Sequence, residues 1–392
     1  MLKRSKYLGV HFWLPVCCLC FLSCSNENGR KVIADTPNSR TAAEDKVEIK
    51  FAERFKIFYK DGYKLVTVNK PWRGAQRGFS YALVDRGDPL PALPDSVTVI
   101  QIPVQKFVCT STSHLPALEY LGEVEKLVGF PNTKYISSAN IRQQIARDNI
   151  REIGSEAGLN IEALIALEPD LVLDFAMGNE YDNFHVIKKI GVPVVISADY
   201  MERTPLGRAE WIKFTSLFFN QEKKADSIFN IIHSNYDSLV ALASGAKTKP
   251  TVYSGKVYEG IWYVPGGNNF GARFLADAHG TYLWADDPSS GSSQLSFEAV
   301  YERAHKADFW IGLGSFNSLS EIKSVDVRYT KFDAFKNGAV YNYNARIGPE
   351  GGNEFLELGF LRPDIVVADL IKILHPQLLP GHQLYFYQKL ED

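Results

Sequence analysis

The chain is poor in cysteine, and most of its few cysteines lie at one end. Five cysteines occur in 392 residues, and four of them fall within the first 24 positions. Only Cys109 lies in the body of the chain, so the body holds no internal disulfide and no site built from several thiolates. We interpret Cys109 as a small, buried apolar residue.

The chain also lacks an excess of charge of either sign. Its formal net charge is −2 at pH 7, and no segment forms a basic stripe. We therefore expect no nucleic-acid partner, because nucleic-acid-binding surfaces are strongly basic. With 45% hydrophobic and 22% charged residues, the composition is that of a globular protein, and the length favours two domains.

Three common catalytic or nucleotide-binding motifs are missing from the sequence. There is no G-x-S-x-G, no G-x-x-x-x-G-K-[ST] and no H-E-x-x-H. Ser113 and His114 are adjacent, but sequence neighbours seldom act together in a catalytic triad. His114 and His185 are candidate metal ligands, yet too few histidines fall in predicted loops to hold a free metal ion. We therefore expect no enzymatic activity, no cofactor and no metal bound by protein ligands alone.

No apolar run is long enough for a comfortable membrane span, and the one near the N-terminus fits an export signal. This run, YLGVHFWLPVCCLCFL, follows a short basic segment. Ser23 before Cys24 is similar to a bacterial lipobox, which implies acylation of the Cys24 thiol; a plain secretory signal is the alternative. We expect a signal peptide at 1–23 and a flexible, lipid-anchored tether at 24–45.

The rest of the chain predicts an α/β protein with two lobes. A β-rich extension at 46–95 precedes alternating strands and helices at 96–206, which form the N-terminal lobe. Residues 207–245 are predicted to be helical and to link the lobes, because their interior contains neither glycine nor proline. Asn220 is a candidate break in this segment. The alternation resumes at 246–392, the C-terminal lobe, and each lobe is predicted to hold a mainly parallel sheet.

A short repeat occurs once in each predicted lobe. LNIEALI at 159–165 matches LSFEAVY at 295–301 in residue type at every position. Each copy places a glutamate, Glu162 or Glu298, in the first turn of a helix and away from its apolar face. Either glutamate alone fits an acid that stabilises a helix N-terminus. As a pair, they would present two acidic groups to a two-fold basic partner surface.

These segments resemble a known family. LNIEALIALEPDLVL, PLGRAEWIKF, LSFEAV and the C-terminal GGNEFLELGFLRPDIVVADLIKILHPQLLP are similar to substrate-binding lipoproteins of ABC importers for iron chelates and cobalamin. These are class III periplasmic binding proteins, here in the form common in the Bacteroidetes group. The resemblance covers roughly residues 96–380. It implies two Rossmann-like lobes with mainly parallel sheets, joined by a long rigid α-helix, with a ligand cleft between them.

The resemblance also implies a function and a location. The protein would bind a ferric siderophore, a corrinoid or haem at the periplasmic face of a bacterial membrane, held there by its lipid anchor. It would then deliver this metal chelate to the permease of the importer, whose arginines would receive Glu162 and Glu298. We expect a monomer. The alternatives are a free transition-metal receptor of the same architecture and a surface lipoprotein enzyme that processes the chelate.

The loops that follow predicted strands supply the candidate ligand contacts. Aromatic side chains suit a large flat chelate, and arginines suit its anionic groups. Arg208 would alternatively cap its own helix region, and Arg346 would alternatively form a structural salt bridge. Trp262, expected in an exposed loop, is the strongest candidate. The full set is Tyr135, Tyr181, Tyr200, Arg208, Trp262, Tyr263, Phe316 and Arg346.

Overall fold

The computed structural model describes residues 46–155, 158–179 and 182–392. They form two α/β lobes, with a small β-sheet before the first lobe and a run of helices between the two. The predicted signal peptide at 1–23, the tether at 24–45, Cys24 and Tyr181 all lie outside the described residues.

The first sheet contains four strands in the order β1-β2-β3-β4. The β1–β2 and β2–β3 pairs are antiparallel, and β3 and β4 run parallel. The fourth strand lies beyond residue 95, so this sheet takes in sequence that we had assigned to the N-terminal lobe. Its strands are β1 Phe55–Lys60, β2 Tyr63–Val68, β3 Phe79–Asp85 and β4 Val97–Ile102.

The N-terminal lobe is built on a fully parallel sheet in the order β11-β10-β5-β6-β7. Its central strands are buried on both faces, which explains their continuous apolar sequences. The strands are β5 Phe107–Cys109, β6 Leu127–Phe130, β7 Arg151–Glu152, a hairpin of β8 Gly154–Ser155 and β9 Gly158–Leu159, β10 Leu171–Phe175 and β11 Val194–Ser197. The helices are α1 Leu115–Leu121, α2 Ala139–Ala146, α3 Ile161–Leu167 and α4 Phe184–Lys189.

The small first sheet shares its core with this lobe. Tyr81 on β3 is buried and packs in one hydrophobic cluster with Phe107 and Leu171. Its hydroxyl accepts a hydrogen bond of 2.9 Å from the backbone N–H of Ile196 on the edge strand β11. The sheet therefore satisfies part of an otherwise unpaired strand edge.

The linking segment is helical, with a short turn at Glu210 and one left-handed break before its longest helix. Its helices are α5 Pro205–Ala209, α6 Trp211–Ser216 and α7 Glu222–Ser244. The break falls at Asn220, which adopts a left-handed conformation with φ of 54°, a backbone region that asparagine tolerates better than most residues. The 23 residues of α7 correspond to a rod of roughly 35 Å.

The C-terminal lobe contains a mainly parallel sheet in the order β15-β12-β17-β18-β19, in which only β19 is antiparallel, and a second antiparallel sheet, β13-β14-β16. The predicted fold class is therefore confirmed. The strands are β12 Thr251–Tyr253, β13 Lys256–Tyr258, β14 Ile261–Pro265, β15 Thr281–Tyr282, β16 Ser292–Leu295, β17 Phe309–Ile311, β18 Val340–Asn342 and β19 Gln388–Lys389. The helices are α8 Phe270–Asp277, α9 Phe297–Ala304, α10 Leu319–Val325, α11 Asp333–Lys336, α12 Glu354–Leu358 and α13 Pro363–Leu374.

Two buried carboxylates fix the first described residues to the linking segment. The Glu210 side chain accepts hydrogen bonds from the backbone N–H groups of residues 50–52. Glu202 does the same for residues 53–54. The buried Lys213 ammonium lies 3.1 Å from the Glu210 carboxylate and neutralises it. Glu210 and Lys213 belong to the motif PLGRAEWIKF. A large part of this motif is therefore explained by its role in holding residues 50–54.

The two lobes also touch directly, away from the linking helices. The buried Glu357 carboxylate on α12 accepts hydrogen bonds from the backbone N–H groups of Ser137, at 2.7 Å, and Ser138, at 3.0 Å. Close by, Arg142 of the N-terminal lobe lies 3.2 Å from Glu350 of the C-terminal lobe. We call this set of contacts the lobe clamp.

Candidate functional site

The described cavities that face the cleft lie where parallel strands end, which is where open α/β sheets place their ligands. In the C-terminal lobe, the segments after β12, β17 and β18 line a cavity of about 440 Å³. In the N-terminal lobe, the segments after β5 and β11 line a cavity of about 30 Å³. Phe360 lines both cavities, so they are neighbours.

The wall of the larger cavity is mainly apolar and aromatic. Its volume falls in the range of about 300–1,000 Å³ that is usual for small-molecule sites. The predicted contact Tyr263 lies in this wall. The aromatic lining residues of the cavity include Tyr258, Tyr263, Phe270, Tyr343, Phe355 and Phe360.

Arg208 on α5 lines the smaller cavity and stacks on two aromatic residues that line the larger one. Its guanidinium stacks between the rings of Phe270, at 3.9 Å, and Phe360, at 4.2 Å. The Nη2 atom donates to the carbonyl of Tyr200 at 3.0 Å, whereas Nε and Nη1 are buried and have no partner among the described residues. Burial lowers the pKa of Arg208 to about 10, so it stays charged at neutral pH.

His114 lies beside this arginine in the smaller cavity. It is buried, and neither of its ring nitrogens has a hydrogen-bond partner among the described residues. Burial lowers the pKa of His114, and the Asp199 carboxylate, 3.9 Å away, opposes that shift. The ring is therefore neutral at pH 7 and offers one donor and one acceptor to a ligand.

The acidic groups of the cleft are largely occupied by the protein itself. Asp199 accepts from the Ser197 hydroxyl at 2.8 Å. Asp182 accepts from the backbone N–H groups of residues 177–179. Asp174 accepts from the Thr110 hydroxyl with one oxygen, whereas its other oxygen is buried and has no partner among the described residues, and burial raises its pKa to about 6. The cleft thus has free cationic donors and few free anionic acceptors, an arrangement that suits an anionic ligand.

Two of the predicted tyrosines lie in the N-terminal lobe. Tyr200 is half-buried, and its hydroxyl donates to the carbonyl of Ala176 at 2.7 Å. Burial raises the pKa of Tyr200 to about 12, so it remains a neutral donor. Tyr135 is 38% exposed on a short 3-10 turn next to the lobe clamp, and it lines neither cavity.

The prediction for Trp262 is wrong. It lies on β14 rather than in an exposed loop, and its side chain is completely buried among Tyr253, Trp310 and Phe332. Its indole N–H donates to the carbonyl of Ser254 at 3.1 Å. Residues alternate between the two faces of a strand, so Trp262 points into the core while Tyr263 faces the cavity.

Phe316 and Arg346 also have structural roles. Phe316 is 4% exposed, packs in the core of the C-terminal lobe and lines neither cavity. Arg346 is half-exposed, lies 2.7 Å from Glu354 and stacks on the ring of Tyr385. Its side chain therefore forms the salt bridge that we had given as the alternative.

Sequence reasoning missed Phe270 and Phe360 as site residues. Phe270 begins α8 and Phe360 connects α12 to α13, so neither follows a strand of the main sheet. No local pattern marks them, because their common property is stacking on Arg208, which is distant in sequence. Their signal is only that each is an aromatic residue next to glycine, in NNFGAR and LGFLR.

The paired glutamates occupy equivalent places in the two lobes. Asn160 caps α3 by accepting from the N–H of Ala163 at 2.9 Å, and Ser296 caps α9 in the same way. Glu162 and Glu298 are both exposed in the first turns of these helices. They differ in one respect, since the Arg328 guanidinium lies 3.4 Å from the Glu298 carboxylate.

A two-lobed α/β molecule with a cleft between strand ends is the architecture of a solute-binding protein. Residues 107–347 match the family model described as periplasmic binding protein, and this match covers more than half of the chain. The chain therefore belongs to the periplasmic binding protein family, which confirms the resemblance and the predicted location in the cell envelope.

Two archaeal proteins are related to most of the length of the chain. An uncharacterized lipoprotein of Methanocaldococcus jannaschii is 27% identical over 368 residues, covering 87% of this chain and 85% of that protein. A second such lipoprotein of the same organism is 25% identical over 358 residues, covering 88% and 87%. Because both relatives are archaeal, the resemblance to Bacteroidetes members stays a prediction.

Solved structures show the same fold. The apo periplasmic heme-binding protein RhuT from Roseiflexus is 18% identical with a TM-score of 0.53, covering 70% of this chain and 99% of that one. Helicobacter pylori CeuE, in complex with nickel and histidine, is 18% identical with a TM-score of 0.55, covering 72% and 86%. At these identities the likeness concerns the fold alone.

Two further properties concern only the part of the chain that the structure describes. It contains no group of three or more histidine, cysteine, aspartate or glutamate side chains placed to hold a metal ion. None of its helices combines the length and apolar character that a membrane crossing requires.

Proposed function

We propose that this chain binds a metal chelate that carries an anionic group, such as a ferric siderophore, haem or a corrinoid, and delivers it to the permease of an ABC importer. The observation that carries this proposal is Arg208. A buried guanidinium with two unpartnered nitrogens is costly in a protein that has no ligand for it. Its position between two aromatic rings at the edge of a 440 Å³ apolar cavity matches a ligand with an anionic group and an apolar body.

Other observations support the same proposal. A bare metal ion would need several protein ligands, and the described residues offer no such group. The solved structures with the same fold include heme-binding proteins and a molybdate-bound protein. The lipoprotein relatives support anchoring through acylated Cys24, and Glu162 and Glu298 are the proposed docking residues for the permease. A binding role of this kind requires no catalysis.

The test is a direct titration of the full-length chain in detergent. The probes are ferric enterobactin, haemin, cyanocobalamin and ferrichrome, followed by tryptophan quenching and visible spectra. Saturable binding of one chelate is the expected result, with preference for an anionic probe over the neutral ferrichrome. Failure of all four probes to bind the folded protein would contradict the proposal.

Two arginine variants test whether Arg208 belongs to the ligand-binding site. Arg208→Gln should weaken binding by at least about 30-fold, because removal of one partner of a buried charged contact costs about 2–5 kcal/mol. Arg346→Gln is the matched control, and it should leave the affinity unchanged because its guanidinium is already paired with Glu354. Equal effects of the two changes would contradict the role given to Arg208. Thermal melts of both variants check that they fold.

A further inference from the structure

The loop between β2 and β3 reaches both lobes, although it belongs to the first sheet and precedes the residues matched by the family model. The N–H of Asn69 donates to the carbonyl of Arg54 at 2.7 Å, and the N–H of Ala75 donates to the carbonyl of Trp72 at 3.2 Å. The tip of the loop is therefore a tight turn with Trp72 and Arg73 near its start.

Trp72 fixes this tip to the N-terminal lobe. Its ring lies 5.9 Å from that of Phe184 and 6.0 Å from that of Phe79. The indole lies directly against Gly178, in the segment after β10, and a Cβ at Gly178 would overlap it. The glycine thus allows a close approach that any other residue would prevent.

Arg73, the next residue, lies against the C-terminal lobe. Its guanidinium contacts Gly291, where a Cβ would overlap it. Gly291 is well fixed, since its carbonyl accepts from the N–H of Gly266 at 2.7 Å and from the side-chain amide of Asn269 at 3.0 Å. The following residue, Ser292, lines the 440 Å³ cavity. Arg73 therefore stands at the rim of that cavity.

The charge of Arg73 also reaches the N-terminal side of the cleft. It opposes the rise in the pKa of Tyr200, whose backbone carbonyl is bonded to Arg208. Arg73 makes no hydrogen bond or ion pair with any other described residue, although it contacts the opposite lobe. Its side chain is exposed at the cavity rim, so its guanidinium is accessible to an anionic group of a ligand.

We propose that Arg73 is a ligand-binding residue, contributed by the sheet that precedes the lobes, and that it binds the anionic part of the chelate at the cavity rim. The loop at residues 69–78 then forms a third side of the cleft, beside the two lobes. This inference rests on the proposed function, because it assumes that the cleft holds an anionic chelate. It adds a second cationic group to the one provided by Arg208.

The experiment uses the full-length chain in detergent and the same four chelate probes. Arg73→Gln should weaken binding of the anionic probe by about tenfold, the effect expected for loss of one charged contact at a partly exposed site. Arg73→Lys should recover most of this loss. Arg77→Gln removes an exposed arginine from the same loop and should change the affinity by less than about twofold.

A second measurement uses the wild-type chain. Trypsin can cleave the chain after Arg73, and a bound chelate probe should lower the rate of this cleavage because it would cover the arginine. Cleavage after Lys247, which is exposed between α7 and β12, should proceed at the same rate with and without probe.

The outcomes separate this inference from the proposed function. If a probe binds the wild type and Arg73→Gln binds it equally well, Arg73 lies outside the site and the proposed function stands. Unchanged trypsin cleavage after Arg73 in the presence of a bound probe would overturn the inference in the same way. If no probe binds the wild type, the proposed function and this inference both fail.

Discussion

Glu357 in the lobe clamp should make the stability of the protein depend on pH in a specific direction. Its carboxylate is buried, and burial raises its pKa from 4.5 to about 7, against the two backbone N–H groups that favour the charged form. Glu119 and Glu354 act in the same direction as burial. The folded protein therefore retains a proton on Glu357 at a pH where the unfolded chain has lost it.

The size and sign of the effect follow from this difference. A gap of about 2.5 between the folded and unfolded pKa values corresponds to about 3 kcal/mol of free energy of unfolding. Because the folded pKa is the higher one, this contribution is fully present below pH 4.5 and is lost as the pH rises to about 7. Other groups also titrate in this range, including Asp174 with its raised pKa, so a variant is needed to isolate Glu357.

The variant is Glu357→Gln, which cannot titrate and keeps one carbonyl oxygen as an acceptor. We would measure urea unfolding of the wild type and the variant by tryptophan fluorescence at several pH values between 4.5 and 8. The free energy of unfolding of the wild type, relative to that of the variant, should fall by about 3 kcal/mol over this range. A difference that does not change with pH would refute the reasoning.

Two further predictions concern residues named from the sequence. Trp262→Ala should lower the free energy of unfolding by about 3–5 kcal/mol, because it removes a completely buried aromatic side chain; a weaker chelate affinity in a protein of unchanged stability would contradict this. Glu162→Arg combined with Glu298→Arg should leave chelate affinity intact and abolish uptake by cells that carry the importer. The control Glu302→Arg, which alters an exposed residue on α9, should leave uptake unchanged, and persistence of uptake in the double variant would exclude the docking role.

Local sequence signals predicted the fold well where they reflect local physics. The interruption at Asn220 and the buried parallel strands follow from backbone preference and burial pattern. Boundaries were less predictable. The N-terminal lobe was predicted to begin at residue 96, but β4, which follows that position, belongs to the first sheet.

The site was harder to predict, because its residues share no local pattern. Trp262 and Tyr263 are adjacent, and only the position of β14 in the sheet decides which of them faces the core. Arg208, Phe270 and Phe360 meet only after the chain has folded. Arg73 comes from a segment that periodicity identified as β-rich and to which it assigned no role.

The lobe clamp has a mechanical consequence. Besides the linking helices, the lobes are held together by Glu357, Arg142 and a hydrogen bond of 2.8 Å from Arg362 to the hydroxyl of Tyr120. The loop that carries Trp72 and Arg73 adds a further contact with both lobes. A wide opening of the cleft for entry or exit of a ligand would therefore first require several separate contacts to break.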